Sequence, residues 1–190
     1  RLINTFSVIT ANQEVIQNNP ACYLMLNKPI GVVSATQDPE HKTVIDLIAH
    51  EQAQNLHIVG RLDKNTSGLV LLTNDSRWSE ALTSPDSKVE KHYIVTLGNE
   101  LNQDYVKAFE KGMYFEFEDI TTQPAKLKIL SPFRAHVVLN EGKYHQIKRM
   151  FGRFRNPVVA LHRNKIGSIE LEDNLQPGQW RALTKDEISN

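Results

Sequence analysis

Strand-like segments outnumber helical ones in this chain and do not alternate with them, and that ordering restricts the fold more than any other feature. β-Branched or alternating apolar runs fall at 22–26, 57–59, 68–73, 91–97, 125–130, 134–139, 157–161, 166–171 and 180–183. Helical patterns fall at about 43–49, 76–83, 102–111 and 144–154, with Asn102 as an N-cap and Gly112 as a C-terminal stop. Thr184 and Glu187 have the spacing of a capping box for a short last helix. The pattern predicts an α+β domain on a mainly antiparallel sheet rather than a doubly wound parallel one. Residues 1–21 read as a tail or linker, rich in Asn and Gln with Val8-Ile9-Thr10 its strand-like group, and residues 22–190 as the folded domain.

Within that frame Gly60-Arg61-Leu62-Asp63-Lys64-Asn65-Thr66-Ser67-Gly68 delivers one carboxylate into a tight turn, followed at once by the apolar run Leu69-Val70-Leu71-Leu72. An Asp there is a candidate nucleophile or base; its structural alternative is a turn cap bonding its own backbone. A second segment, Glu141 to Met150, carries the cations that an ionised, partly buried Asp requires. From Lys143 to Lys165 there are seven Lys and Arg and no acid, with His145 and His162 as further donors. Such a run is either a solvated face or a polyanion site. Formal net charge is zero, and the compensating acids collect at Glu116-Phe117-Glu118-Asp119 and Glu170-Leu171-Glu172-Asp173.

The single cysteine, Cys22, excludes a disulfide within the chain and a Cys-based zinc site, and the seven His show no ligand spacing, so no metal is expected. No apolar run approaches the ~20 residues of a membrane span, and the N-terminal residues lack the pattern of a signal peptide. A soluble, cytoplasmic monomer without cofactor is the expectation.

Leu26-Asn27-Lys28-Pro29, Gly60-Arg61-Leu62-Asp63 with Thr66-Ser67-Gly68, Lys91-His92-Tyr93, the segment from Glu141 to Met150, and Leu161-His162-Arg163 with Ile166-Gly167 occur in the order and spacing of a known family. Over about Tyr23 to Thr184 the chain resembles the pseudouridine synthases, in particular the branch acting on small-subunit ribosomal RNA. The resemblance implies two α+β halves meeting at a cleft that both motifs face. It implies a redox-neutral isomerisation with no cofactor, in which the bond from ribose C1′ to N1 of uracil breaks and one to C5 forms. Asp63 would then attack C1′ or remove the C2′ proton, two routes that stay open. Tyr93 would lie against the base, and Ile147 would contact its other side.

By family position Lys148 is the cation for Asp63, where most related enzymes carry Arg; Arg149 is the competing assignment. Adjacent residues point in different directions, so only one of the two is expected to reach Asp63, with the other free for phosphate. Arg61, Lys28, His145, Gln146, Arg149, Arg153 and Arg163 complete the expected RNA contacts, although Lys28 in Asn27-Lys28-Pro29 and Arg61 also have structural readings, a fixed turn and a salt bridge. The target would be a uridine flipped out of 16S ribosomal RNA, at the position numbered 516, in a small-subunit assembly intermediate. The family commonly carries an N-terminal S4-type RNA-binding domain, and residues 1–21 resemble its end and linker. The alternatives are the same chemistry on 23S ribosomal RNA, a noncatalytic ribosome-assembly factor using the basic face, and, last, a metal-dependent nuclease, for which no convincing further carboxylates are found.

Overall fold

The computed structural model describes residues 6–12, 14–17, 19–143 and 145–190. Its strands are β1 (Ile9–Ala11), β2 (Glu14–Gln17), β3 (Tyr23–Lys28), β4 (His57–Val59), β5 (Ser67–Thr73), β6 (Lys91–Leu97), β7 (Tyr114–Phe115), β8 (Ile120–Thr121), β9 (Lys126–Ser131), β10 (Arg134–Leu139), β11 (Val158–Ile166), β12 (Ile169–Glu170) and β13 (Trp180–Ala182). Four α-helices are interspersed: α1 (Ser76–Thr83), α2 (Gln103–Lys111), α3 (Gln146–Gly152) and α4 (Lys185–Ser189).

Nine strands form one sheet in the order β13-β3-β5-β11-β6-β10-β9, with β4 added on β5 and β12 on β11. Every pairing is antiparallel except β5 with β11, where His162 meets Ser67 and Arg163 meets Gly68. This short parallel seam joins the two halves, β13-β3-β5 and β11-β6-β10-β9. It requires glycine at 68, where φ is +114° and a Cβ would stand 2.1 Å from the Arg163 carbonyl oxygen.

Alternation sorts the apolar residues onto two faces. Leu24, Leu26, Val70 and Leu72 belong to the larger core, which runs on through Tyr93, Val95, Ala135 and Val137 to α2 and α3. Met25, Leu69 and Leu71 face the other way and pack with Trp78 of α1 and Ile188 of α4. Local chemistry sets the helix ends: Asp75 accepts from the Arg77 and Trp78 amides, Asn102 caps α2 before Gly112 stops it, and Thr184 and Glu187 complete the capping box of α4.

Three expectations need correction. The helix at 43–49 is a single 3-10 turn, Ile45–Leu47, because Thr43 and Asp46 bond each other's backbone amides and compete with continuation. The strand at 157–161 runs on to Ile166 as β11, whose bulges disturb the alternation by which strands are read, and of 166–171 only the two-residue β12 follows it. Within residues 1–21, β1 pairs with β2 in a hairpin that the single group Val8-Ile9-Thr10 did not announce.

Candidate active site

The turn carrying Asp63 is braced from two sides. Ser34 Oγ donates to the Leu62 carbonyl at 2.7 Å and accepts from the Leu62 amide. The Gly31 amide donates to the Lys64 carbonyl, and Lys28 Nζ donates to the carbonyls of Pro29, at 2.9 Å, and Lys64, at 3.3 Å. From β11, Arg163 donates through Nε and Nη2 to the Leu69 carbonyl and through Nη2 to that of Gly60. Both ends of the Asp63 turn are therefore pinned, while the Asp63 side chain remains 43% exposed.

Asp63 opens onto a cleft of about 730 Å³ lined by Arg61, Thr66, Lys91, Tyr93, Gln146, Ile147, Lys148, Leu161 and Arg163 among others, a volume in the range of ligand sites. Tyr93 on β6 and Ile147 on α3 are both buried, so the cleft wall facing Asp63 has an apolar, aromatic part. Asp63 and Glu141 are the acids of its lining, against Arg61, Lys91, Lys143, Lys148 and Arg163.

His145 is the side chain seen in contact with Asp63, with Nε2 3.1 Å from Oδ2. Lys148 lines the same cleft, but no ion pair between it and Asp63 is seen among the described residues. The reason is local: His145 stands ahead of α3 in left-handed conformation, φ 47°, and projects from the turn rather than the helix. Lys28 is a second cation close to Asp63. Burial lowers its pKa from 10.5 to about 8, and the Asp63 carboxylate partly opposes that shift.

Several residues assigned to RNA are committed elsewhere. Lys28 and Arg163 are 0% and 1% exposed, and the Lys28 ammonium and the Nε and Nη2 of Arg163 serve backbone carbonyls, so neither is a phosphate contact on the outer surface. Gln146 is buried and closes its own loop, donating to Glu141 and accepting from the Lys143 amide. Arg149 pairs with Glu118 at 2.6 Å and lies with Arg153 over the Phe115 ring, at 4.4 and 4.8 Å. Glu118 thus sits on the basic helix rather than apart from it, and Arg149 does not compete for Asp63. Arg61 is exposed at the cleft. Tyr144 and residues 1–5 lie outside the described residues, and with them the expected start of α3 and the beginning of the tail. Sequence reasoning missed Lys91, although its place two residues before Tyr93 puts both on one strand face.

The family profile described as RNA pseudouridylate synthase matches residues 22–152, which takes in the Asp63 turn, Tyr93 and α3. The chain belongs to the RNA pseudouridylate synthase family. Among related synthases, "Ribosomal small subunit pseudouridine synthase A" of Pseudomonas aeruginosa is 49% identical over 98% of this chain and 81% of its own length. The protein of the same name from Escherichia coli is 42% identical over 100% of this chain and 82% of its own length. A solved pseudouridylate synthase superposes with a TM-score of 0.86 at 39% identity, covering 100% of this chain and 82% of the other. The archaeal box H/ACA sRNP Nop10-Cbf5 complex, at 16% identity and TM-score 0.55 over 83% of this chain and 51% of the other, shares the fold. Among the described residues of this synthase no helix is long and apolar enough to cross a membrane.

Proposed function

We propose that this synthase isomerises one uridine of small-subunit ribosomal RNA to pseudouridine, with Asp63 as the reacting carboxylate. The carrying observation is a half-exposed Asp63 on a turn pinned at both ends, opening on the cleft that Tyr93 and Ile147 line. The names of the relatives in Pseudomonas and Escherichia support the RNA class, and the 16S position expected from the resemblance, reached in an assembly intermediate, is the target put forward. The enzyme works as a cytoplasmic monomer where subunits are assembled.

A uridine flipped into the cleft lays its base between Tyr93 and Ile147, where aromatic stacking contributes ~1–3 kcal/mol. Asp63 attacks C1′ or takes the C2′ proton, the N1–C1′ bond breaks, and uracil turns within the cleft. C5 then bonds to C1′, displacing Asp63 on the first route or followed on the second by return of the proton from Asp63 to C2′; the C5 proton leaves and N1 takes one up. Lys28 brings positive charge near the carboxylate and Lys148 adds to the field from the cleft wall, while the His145 imidazole touches the carboxylate directly.

The test is single-turnover release of tritium from C5-labelled uridine in 16S ribosomal RNA or its assembly intermediate. Wild type releases label and Asp63→Asn releases none, while folding and RNA binding persist. Release at the wild-type rate by Asp63→Asn would return Asp63 to a turn cap.

A further inference from the structure

Lys91 and Tyr93 are two residues apart on β6 and project to the same face. Arg163 is the cross-strand partner of Tyr93 on β11, which makes Lys91 its diagonal neighbour, within reach of long side chains. All three line the cleft. The two cations are left unmatched. Arg163 spends Nε and Nη2 on the carbonyls of Leu69 and Gly60, and its Nη1 makes no hydrogen bond among the described residues. Lys91 Nζ likewise makes no hydrogen bond or ion pair among them. Burial and then the Arg163 guanidinium push the Lys91 pKa down.

Two neighbouring cations in a partly dehydrated cleft, neither ion-paired with a carboxylate among the described residues, repel each other until an anion completes the group. The acids of the lining do not supply one: Asp63 pairs with His145 and Glu141 with Lys143. A third donor stands in the same cleft, the buried Thr66 hydroxyl, which has no hydrogen-bond partner and is 2% exposed.

We propose that Lys91 and Arg163 form a phosphate subsite inside the cleft, holding a phosphodiester of the flipped uridine, with the Thr66 hydroxyl as a further donor. The inference rests on the pseudouridine synthase reading and names what that site grips. A nucleotide leaves its stack by rotating about its flanking phosphates, at a cost of a few kcal/mol, so an internal cationic pair offsets flipping where a surface contact would not. The pair also fixes the sugar relative to Asp63.

The experiment is an NMR titration of wild type, Lys91→Met and Lys91→Arg with uridine, uridine 5′-monophosphate and uridine 3′-monophosphate. Wild type is expected to bind one of the monophosphates about fivefold or more tightly than uridine, and which one it prefers tells which phosphate is held. Lys91→Met should lose that preference with uridine affinity and melting temperature unchanged; Lys91→Arg should keep it. No preference in wild type, a preference surviving in Lys91→Met, or an equal loss of uridine and monophosphate binding would each overturn the subsite. Tritium release by the wild type is measured separately. An enzyme that grips the monophosphate without releasing label keeps the subsite and loses the isomerase reading, whereas release without phosphate preference does the reverse.

Discussion

Asp63 is served by neighbours of two kinds, one in contact and others at a distance, and they respond differently to substitution. His145 touches the carboxylate, so His145→Ala is expected to slow single-turnover conversion by ~10- to ~10²-fold, the scale of a displaced reacting group, with RNA affinity little changed. Lys148→Ala, removing a cation that does not touch Asp63, should slow it less. Equal losses in the two variants would restore Lys148 as the direct partner. Lys28 makes a stability prediction. Its pKa falls from 10.5 unfolded to about 8 folded because burial disfavours the ammonium, so between those pH values the unfolded chain holds more protons. Stability should therefore rise with pH across that window, by up to about 3 kcal/mol. Urea unfolding of wild type and Lys28→Met at intervals across it measures the increment, which the variant should lack.

At the scale of elements, the β7–β8 hairpin and the parallel seam each restrain the site. Glu118 on the hairpin neutralises Arg149 of α3, so Glu118→Gln should free that guanidinium. The expected outcome is tighter RNA binding with a salt dependence steeper by up to ~1 unit of slope, read from binding isotherms at several salt concentrations. An unchanged slope would leave the hairpin neutral for RNA. Gly68→Ala should destabilise by ~4 kcal/mol or more, the exceptional end for point substitutions, since its Cβ would meet the Arg163 backbone at 2.1 Å. Thermal melting or loss of soluble protein reports it. The helices α1, α2 and α4 were legible because their caps are local, written within four residues of sequence. The hairpin was not, since its two-residue strands are held by Arg149 and Arg153, far along the chain.

For the whole molecule, acid should act through half-buried imidazoles. Burial lowers the pKa of His92, His136 and His162 below 6.5, with Lys165 adding to the first, and His92 and Lys128 to the second. The unfolded chain then takes up protons that the folded one refuses, so stability is lost as pH falls below 6.5. His92 and His136 stack across β6 and β10 with their ring nitrogens 3.0 Å apart. The urea midpoint should thus drop between about pH 7 and pH 5.5, and less steeply when both are replaced by Gln. An equal drop would assign acid sensitivity elsewhere.

The sequence by itself determined the α+β class, most strand positions, the capped helices and the Asp63 turn, because alternation, capping and turn chemistry act between residues close along the chain. It also carried the family, through motifs whose order survives without coordinates. Tertiary structure alone decided which charges meet. Glu118 and Arg149 lie in separate blocks of opposite sign, and only folding pairs them. Lys28 and Arg163 look like surface cations in sequence, but the sheet buries both and turns their donors onto the carbonyls that hold Asp63 in place. His145 reaches Asp63 ahead of Lys148 because a backbone conformation, not residue order, aims it. Coulomb interactions and burial depend on distances through space, and for groups eighty residues apart the chain sets no such distance until the β5–β11 seam closes.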